Sequence, residues 1–302
     1  MFGLFSKKQP ITVALPNVKE KNLDRSWEIT ICKELITDII YGYLGLAEGK
    51  KLSRSAFFFE ISLTNKLLLA EFADKVAKGE QKAAEKLIKI DYKIAIHKID
   101  LNDFSYRSFT NITAFQYSLW ALDRHMWQMI LKYLPKELAK KQLVELEEKG
   151  TVFGKQYDMS YLLLAYQEFI NSFAVESTTV RKFNWQRIGL LQRLVPAHVA
   201  NQFCRIDQAL FPAPDFKSND FLRNLYVSDP RFQRYSRVHW FFDDRIGDKF
   251  AVVRGRNLGA AHCLNYCGGI VAVDRDYEAI KCLNAVRKEE YTDLKQKLLA
   301  PV

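Results

Sequence analysis

The stretch AHCLNYCGG, residues 261–269, sets three residues between Cys263 and Cys267, with His262 beside the first thiol and two glycines after the second. Thiols and an imidazole at this spacing invite two chemistries. A structural zinc ion needs four ligands, and only Cys282 or His239 is at hand to complete the set. The second ligand pair that makes zinc patterns specific is missing, so no metal is expected. The other chemistry is nucleophilic. Cys263 or Cys204 would attack, His198, His239 or His262 would take the proton, and Asp243 or Asp274 would orient the base. In PAHVANQFC, His198 precedes Cys204 by six residues, a separation that puts the two on different faces of a helix. A cysteine-dependent enzyme, a protease or transamidase, is therefore one reading of the chain, against the commoner fate of free cysteines as buried apolar residues.

Phosphate chemistry is the second candidate. RFQRYSRVHWFFDDR interleaves Arg231, Arg234 and Arg237 with aromatic rings, and Arg254 follows in VVRG. Residues 178–256 hold 14 Lys and Arg against 7 Asp and Glu, a net +7 within a chain of net +10. Such a segment suits anionic lipid or nucleic acid, and equally a solvated basic face. No Gly-rich turn joins a strand to a helix, no Walker-type Gly-Lys-Ser/Thr occurs, and no serine sits in a Gly-x-Ser-x-Gly elbow. No cofactor is expected.

The elements that must position these groups read as helices. In SWEITICKELITDIIYGYLG, Trp27, Ile31, Leu35, Ile39 and Tyr43 recur every four residues. AFFFEISLTNKLLLAEFADKVAKG repeats the pattern and stops at Gly79. KELAKKQLVELEEKG ends at Gly150, DMSYLLLAYQEFINSFAV has Asp158 or Ser160 to cap it, and Pro196 suits the first turn of a short helix. KFAVVRG and GGIVAVD are short β-branched runs bounded by glycines and predict a small two-stranded element, followed by a last helix capped at Asp274. The fold class expected is mainly α: a helical array with a C-terminal α-rich domain containing a small β element. The expected domains are residues 1–100 and 101–302.

SLWALDRHMWQMILKYL, residues 118–134, places Trp120 and Trp127 either side of Asp123. As one helix it would bury an unpaired carboxylate between two indoles, which is costly. Two short helices meeting at Asp123 remove that cost, because the carboxylate then caps the second helix. The tryptophans are expected in the core, as struts of a scaffold.

TAFQYSLWALDRHMW, RLVPAHVANQFC, FPAPDF and FAVVRG, taken in order, resemble a module of secreted effectors that intracellular bacteria deliver through the Dot/Icm type IV system. The resemblance spans roughly residues 105–300. Thr113, Ala114, Phe115 and Gln116 also resemble the Thr-Pro-Leu-His start of an ankyrin helix pair, in a single degenerate copy. Glu289 and Glu290, upstream of Leu299, Ala300, Pro301 and Val302, are similar to the tail of such effectors. The resemblance implies synthesis in a bacterial cytoplasm, delivery to the host cytosol, and action on a protein partner, with no catalytic residues to carry over. The five cysteines, the lack of a signal-peptide core and apolar runs such as AFFF and LLLA, far short of a membrane span, fit that address, with no transmembrane segment expected.

Overall fold

The computed structural model describes residues 54–103, 105–192, 194–203, 212–217 and 270–300. The chain divides into two compact units, residues 1–66 and 67–302. Residue 100 falls inside a strand of the second unit. Helix α1, Arg54–Ala77, is followed by a turn through Gly79 at φ 73°, then α2, Gln81–Ile88, and a single 3-10 turn, Tyr92–Ala95. The described residues are mainly α, with one antiparallel pair of strands, β1 Lys98–Asn102 and β2 Ser108–Thr113.

This hairpin corrects two expectations. The β element lies at 98–113, although residues 98–100 are expected in a helical region, and GGIVAVD is helical from Ile270 onward. Asp274 is accordingly inside the last helix and does not cap it. KFAVVRG lies outside the described residues. The strands pair Lys98 with Thr113, Ile99 with Ile112, Leu101 with Phe109 and Asn102 with Ser108, with a register shift between Ile99 and Leu101. Asn111 takes up the extra residue at φ 54°, a conformation asparagine tolerates, and its N–H donates to the Asp100 carboxylate at 2.8 Å.

Thr113 ends β2 and begins α3, Ala114–Trp120. Its hydroxyl accepts from the Gln116 N–H at 3.0 Å while the Gln116 side chain accepts from the Thr113 N–H at 3.1 Å, a reciprocal cap. The TAFQ run that resembles an ankyrin start is this cap. Every residue of α3 is buried. The helix stops at Trp120, Leu122 adopts φ 58°, and Asp123 caps α4, Arg124–Leu131, by accepting from the Met126 N–H at 3.2 Å. The carboxylate between the tryptophans thus satisfies a helix end.

Helix α5, Lys136–Lys149, ends at Gly150, whose φ of 65° needs a residue without Cβ strain. After a tight Thr151–Gly154 turn, α6, Ser160–Ser172, begins where the Asp158 carboxylate accepts from the Ser160 N–H and hydroxyl. Then come α7, Thr178–Gln192, α8, Ala197–Phe203, directly after Pro196, and the long α9, Ile270–Leu299. Glu289 and Glu290 therefore belong to a helix and not to an unstructured tail. Helix α9 packs on α4, α5 and α6, and α6 packs on α7. Among the described residues no helix is long and apolar enough to cross a membrane.

Candidate interaction surface

Three polar sites within this scaffold are built to hold it together. In the hairpin loop the buried Asp103 carboxylate accepts from the Ser105 N–H and hydroxyl, the Arg107 N–H and Arg107 Nε, all at 2.8–2.9 Å, and pairs with Arg107 Nη2 at 2.6 Å. The guanidinium lies 4.7 Å from the Trp120 ring centre, 5.2 Å from Tyr157 and 5.8 Å from Phe153. Phe109 meets Trp120 edge-on at 4.7 Å. Burial pushes the Tyr117 and Tyr157 hydroxyls above their ordinary pKa, and for Tyr117 the Asp103 charge adds to it. Neither phenol is poised for proton transfer near neutrality.

The second site ties α9 to the middle of the fold. Arg287 is fully buried, and its Nη1 donates to Glu290 at 2.6 Å and to the Phe216 carbonyl at 3.1 Å. Glu290 also pairs with Arg124, the first residue of α4, at 2.8 Å. One turn on, Tyr291 packs on Trp127 at 5.9 Å and donates to Glu147, which also accepts from Lys295 at 2.6 Å. Burial pushes the Glu147 carboxyl up, but these two donors outweigh it and hold the group below its ordinary value. The third site is His198. The candidate base is buried, and its Nε2 stands 2.7 Å from the Ala121 carbonyl at the end of α3. A carbonyl only accepts, so this nitrogen carries the proton. His198 is thereby a strut between α8 and the two-helix hinge.

An open cavity of about 270 Å³ lies between β2 and the end of α5, edged by Lys98, Thr110, Gln116, Glu145, Lys149 and Thr151. Lys98 and Lys149 both donate to Glu145, at 2.6 and 2.9 Å, and Gln116 donates at 3.2 Å. Together they hold its carboxyl at about 2, against an ordinary 4.5. A depressed carboxyl stabilises the fold above its unfolded pKa and loses that contribution as pH falls through the folded value. The gap in melting temperature between the native chain and Glu145→Gln is therefore expected to close as pH falls from about 4.5 towards 2. A gap that stays constant over that window contradicts the assignment.

Among the described residues, the scaffold leaves an apolar face open. Helix α6 buries Leu162, Ala165, Tyr166 and Phe169, and α7 buries Trp185 and Ile188 against it, with Phe169 and Trp185 rings 5.6 Å apart. On the opposite side of α7, Val180, Phe183 and Leu190 follow one another along the outward face, with Phe183 67% exposed, and the exposed Leu194 follows in the turn after the helix. Tyr161 and Leu164 do the same on α6, at 67% and 51%. Arg187 of α7 pairs with Glu168 of α6, which fixes the two outward stripes along a shared edge. A helix apolar on both faces is ordinarily covered on both.

TTVRKFNWQRIGLLQRL, residues 178–194, reads as a helix from its sequence, but its second apolar face does not, because periodicity marks apolar positions without saying which will be covered. The other candidates, Cys204, Arg231, Arg234, Arg237, Arg254, His262 and Cys263, lie outside the described residues. Among the described residues, no group of three or more His, Cys, Asp or Glu is placed to hold a metal ion.

Comparison with known sequences bears on this face. The family profile of the CBUA0006 C-terminal domain matches residues 161–298, which begin at Tyr161 and contain every exposed apolar residue named above. Over 268 residues the chain is 29% identical to "Uncharacterized protein CBUA0006" of Coxiella burnetii (strain RSA 493 / Nine Mile phase I), an alignment that covers 78% of this chain and 77% of the relative. That relative comes from an intracellular bacterium. No solved structure matches.

Proposed function

We propose that this chain is a translocated bacterial effector that acts inside a host cell by protein–protein interaction, docking through the outward face of α6 and α7. The observation that carries the reading is the doubled apolar character of α7, whose inner stripe is buried on α6 while Val180, Phe183 and Leu190, and Leu194 just past its end, stay exposed. The similarity to a protein of an intracellular bacterium supports the host-cell setting. The buried polar groups support a scaffold, since Asp103 shapes the hairpin loop, Glu290 holds α9 to α4 and His198 holds α8 to the end of α3.

Binding to anionic lipid or nucleic acid is the second reading, favoured by Arg181, Lys182, Arg187 and Arg193 in a segment without an acidic residue. Two of those cations have internal partners: Arg187 is paired with Glu168, and Arg181 donates to the Phe173 carbonyl at 3.2 Å. Their engagement within the fold favours the protein partner.

A photo-crosslinking amino acid placed at Phe183, and separately at the exposed Val152 of the Thr151–Gly154 turn, tests the reading in host lysate. The expected result is one adduct from position 183, lost in the Leu190→Asp background and insensitive to salt, with none from 152. Equal adducts from both positions overturn it, and adducts that vanish as salt rises favour the lipid or nucleic-acid reading. For the host address, a translocation reporter fused to the chain should give a cytosolic signal in infected cells.

A further inference from the structure

The outward stripe of α7, taken together with Leu194 in the turn after it, reads nearly the same in both directions. From Arg187, Phe183 lies four residues back and Leu190 three ahead, while Val180 and Leu194 lie seven residues either side. A copy of the same helix laid antiparallel across a twofold axis beside Arg187 sets Phe183 against Leu190 of the other copy and Val180 against Leu194. We propose that a second copy of this chain occupies the α6–α7 face, packing helix pair on helix pair about that axis. The inference rests on the reading of this face as an interface and names its first occupant.

Charge and area fit this occupant. The Arg187–Glu168 pair sits next to the axis, so two copies bring two cations and two carboxylates together in a neutral group, with each Arg187 in reach of the other copy's Glu168. Tyr161, Leu164, Val180, Phe183, Leu190 and Leu194 expose up to roughly 600 Å² in one copy, and pairing removes on the order of 1,200 Å², at the threshold of a specific interface. The stripe runs for about 15 Å along α7 from Val180 to Leu190, nearly three turns, enough for a short helix–helix seam. Opposing association is the net charge of +10 on each copy, so dimerisation strengthens as added salt screens it.

Sedimentation of the full chain across the micromolar range is the test. The native chain is expected to be a dimer that tightens with salt. Phe183→Asp and Leu190→Asp should each weaken it by about 100-fold without lowering the melting temperature, and Val152→Asp should change nothing. The decisive arm uses charge reversal. Glu168→Arg and Arg187→Glu, each alone, should be monomeric, and a mixture of the two should form a heterodimer, because only across the axis do they restore opposite charges. A monomeric native chain, a dimer indifferent to Phe183→Asp, or a mixture that stays monomeric overturns the proposal. If the chain is monomeric while position 183 still crosslinks a host protein, the docking reading stands and the dimer falls; if it is a dimer and no host adduct forms, the dimer stands and host docking falls.

Discussion

Replacing Trp120 with alanine is expected to destabilise the fold by about 3–5 kcal/mol, lowering the melting temperature by roughly 10 °C. The indole is 1% exposed, and removing it leaves more than an apolar hole. Its face carries the Arg107 guanidinium, its edge receives Phe109, the Tyr157 ring meets it at 5.8 Å, and its Nε1 donates to the Phe153 carbonyl at 3.4 Å. Phe153 and Tyr157 are the residues that bring the chain out of α5 and into α6. Truncation therefore loosens the hairpin and the α5–α6 connection together, while Trp120→Phe keeps an aromatic platform and loses much less. Urea unfolding followed by near-ultraviolet dichroism measures the difference. A loss below about 1 kcal/mol shows the indole is no interior strut.

The second large effect is at Arg287. Arg287→Ala is expected to cost about 3–5 kcal/mol, as breaking a buried pair does, because it strips Glu290 of one partner and leaves a cavity among α4, α9 and the Phe216 backbone. Arg287→Met should cost far less. Burial lowers the guanidinium's pKa, with Glu290 working against it, so the native charge is already expensive to hold; its Nε and Nη2 have no hydrogen-bond partner among the described residues. Methionine fills most of the volume, and Glu290 keeps Arg124 at 2.8 Å. Thermal unfolding of the two variants side by side decides it. Equal losses indicate that the positive charge itself, and not the filled space, stabilises this site.

Some of this is legible in sequence because its cause is local. Asp123 announces a helix start since a short acidic side chain reaches the free N–H groups of the next turn, and Gly79 and Gly150 mark stops because their φ values are positive. The hairpin is not legible. Its loop has no glycine or proline; the buried Asp103 carboxylate shapes it, and Tyr106 takes a left-handed φ of 63° that a glycine or asparagine would have advertised. GGIVAVD misleads for the opposite reason. Its β-branched residues favour a strand, but Val273 begins a run of buried positions through Ala279, Ile280, Leu283, Arg287, Tyr291, Leu294 and Leu298, and packing over 30 residues outweighs the preference of a short run. The apolar face of α6 and α7 depends on which elements pack beside it, which composition does not encode.

The way α9 is fastened sets a limit on how this protein is divisible. The segment shared with the CBUA0006 C-terminal domain starts at residue 161, yet its last helix is latched through Arg124, Trp127 and Glu147, all upstream of that start. A gene fragment opening at codon 161 would encode a helix whose wet, ionic side and ring-stacked side both lack their counterparts, and its product would clump in the cell. Inheritance, expression and exchange of this part therefore have to carry the preceding hinge along with it.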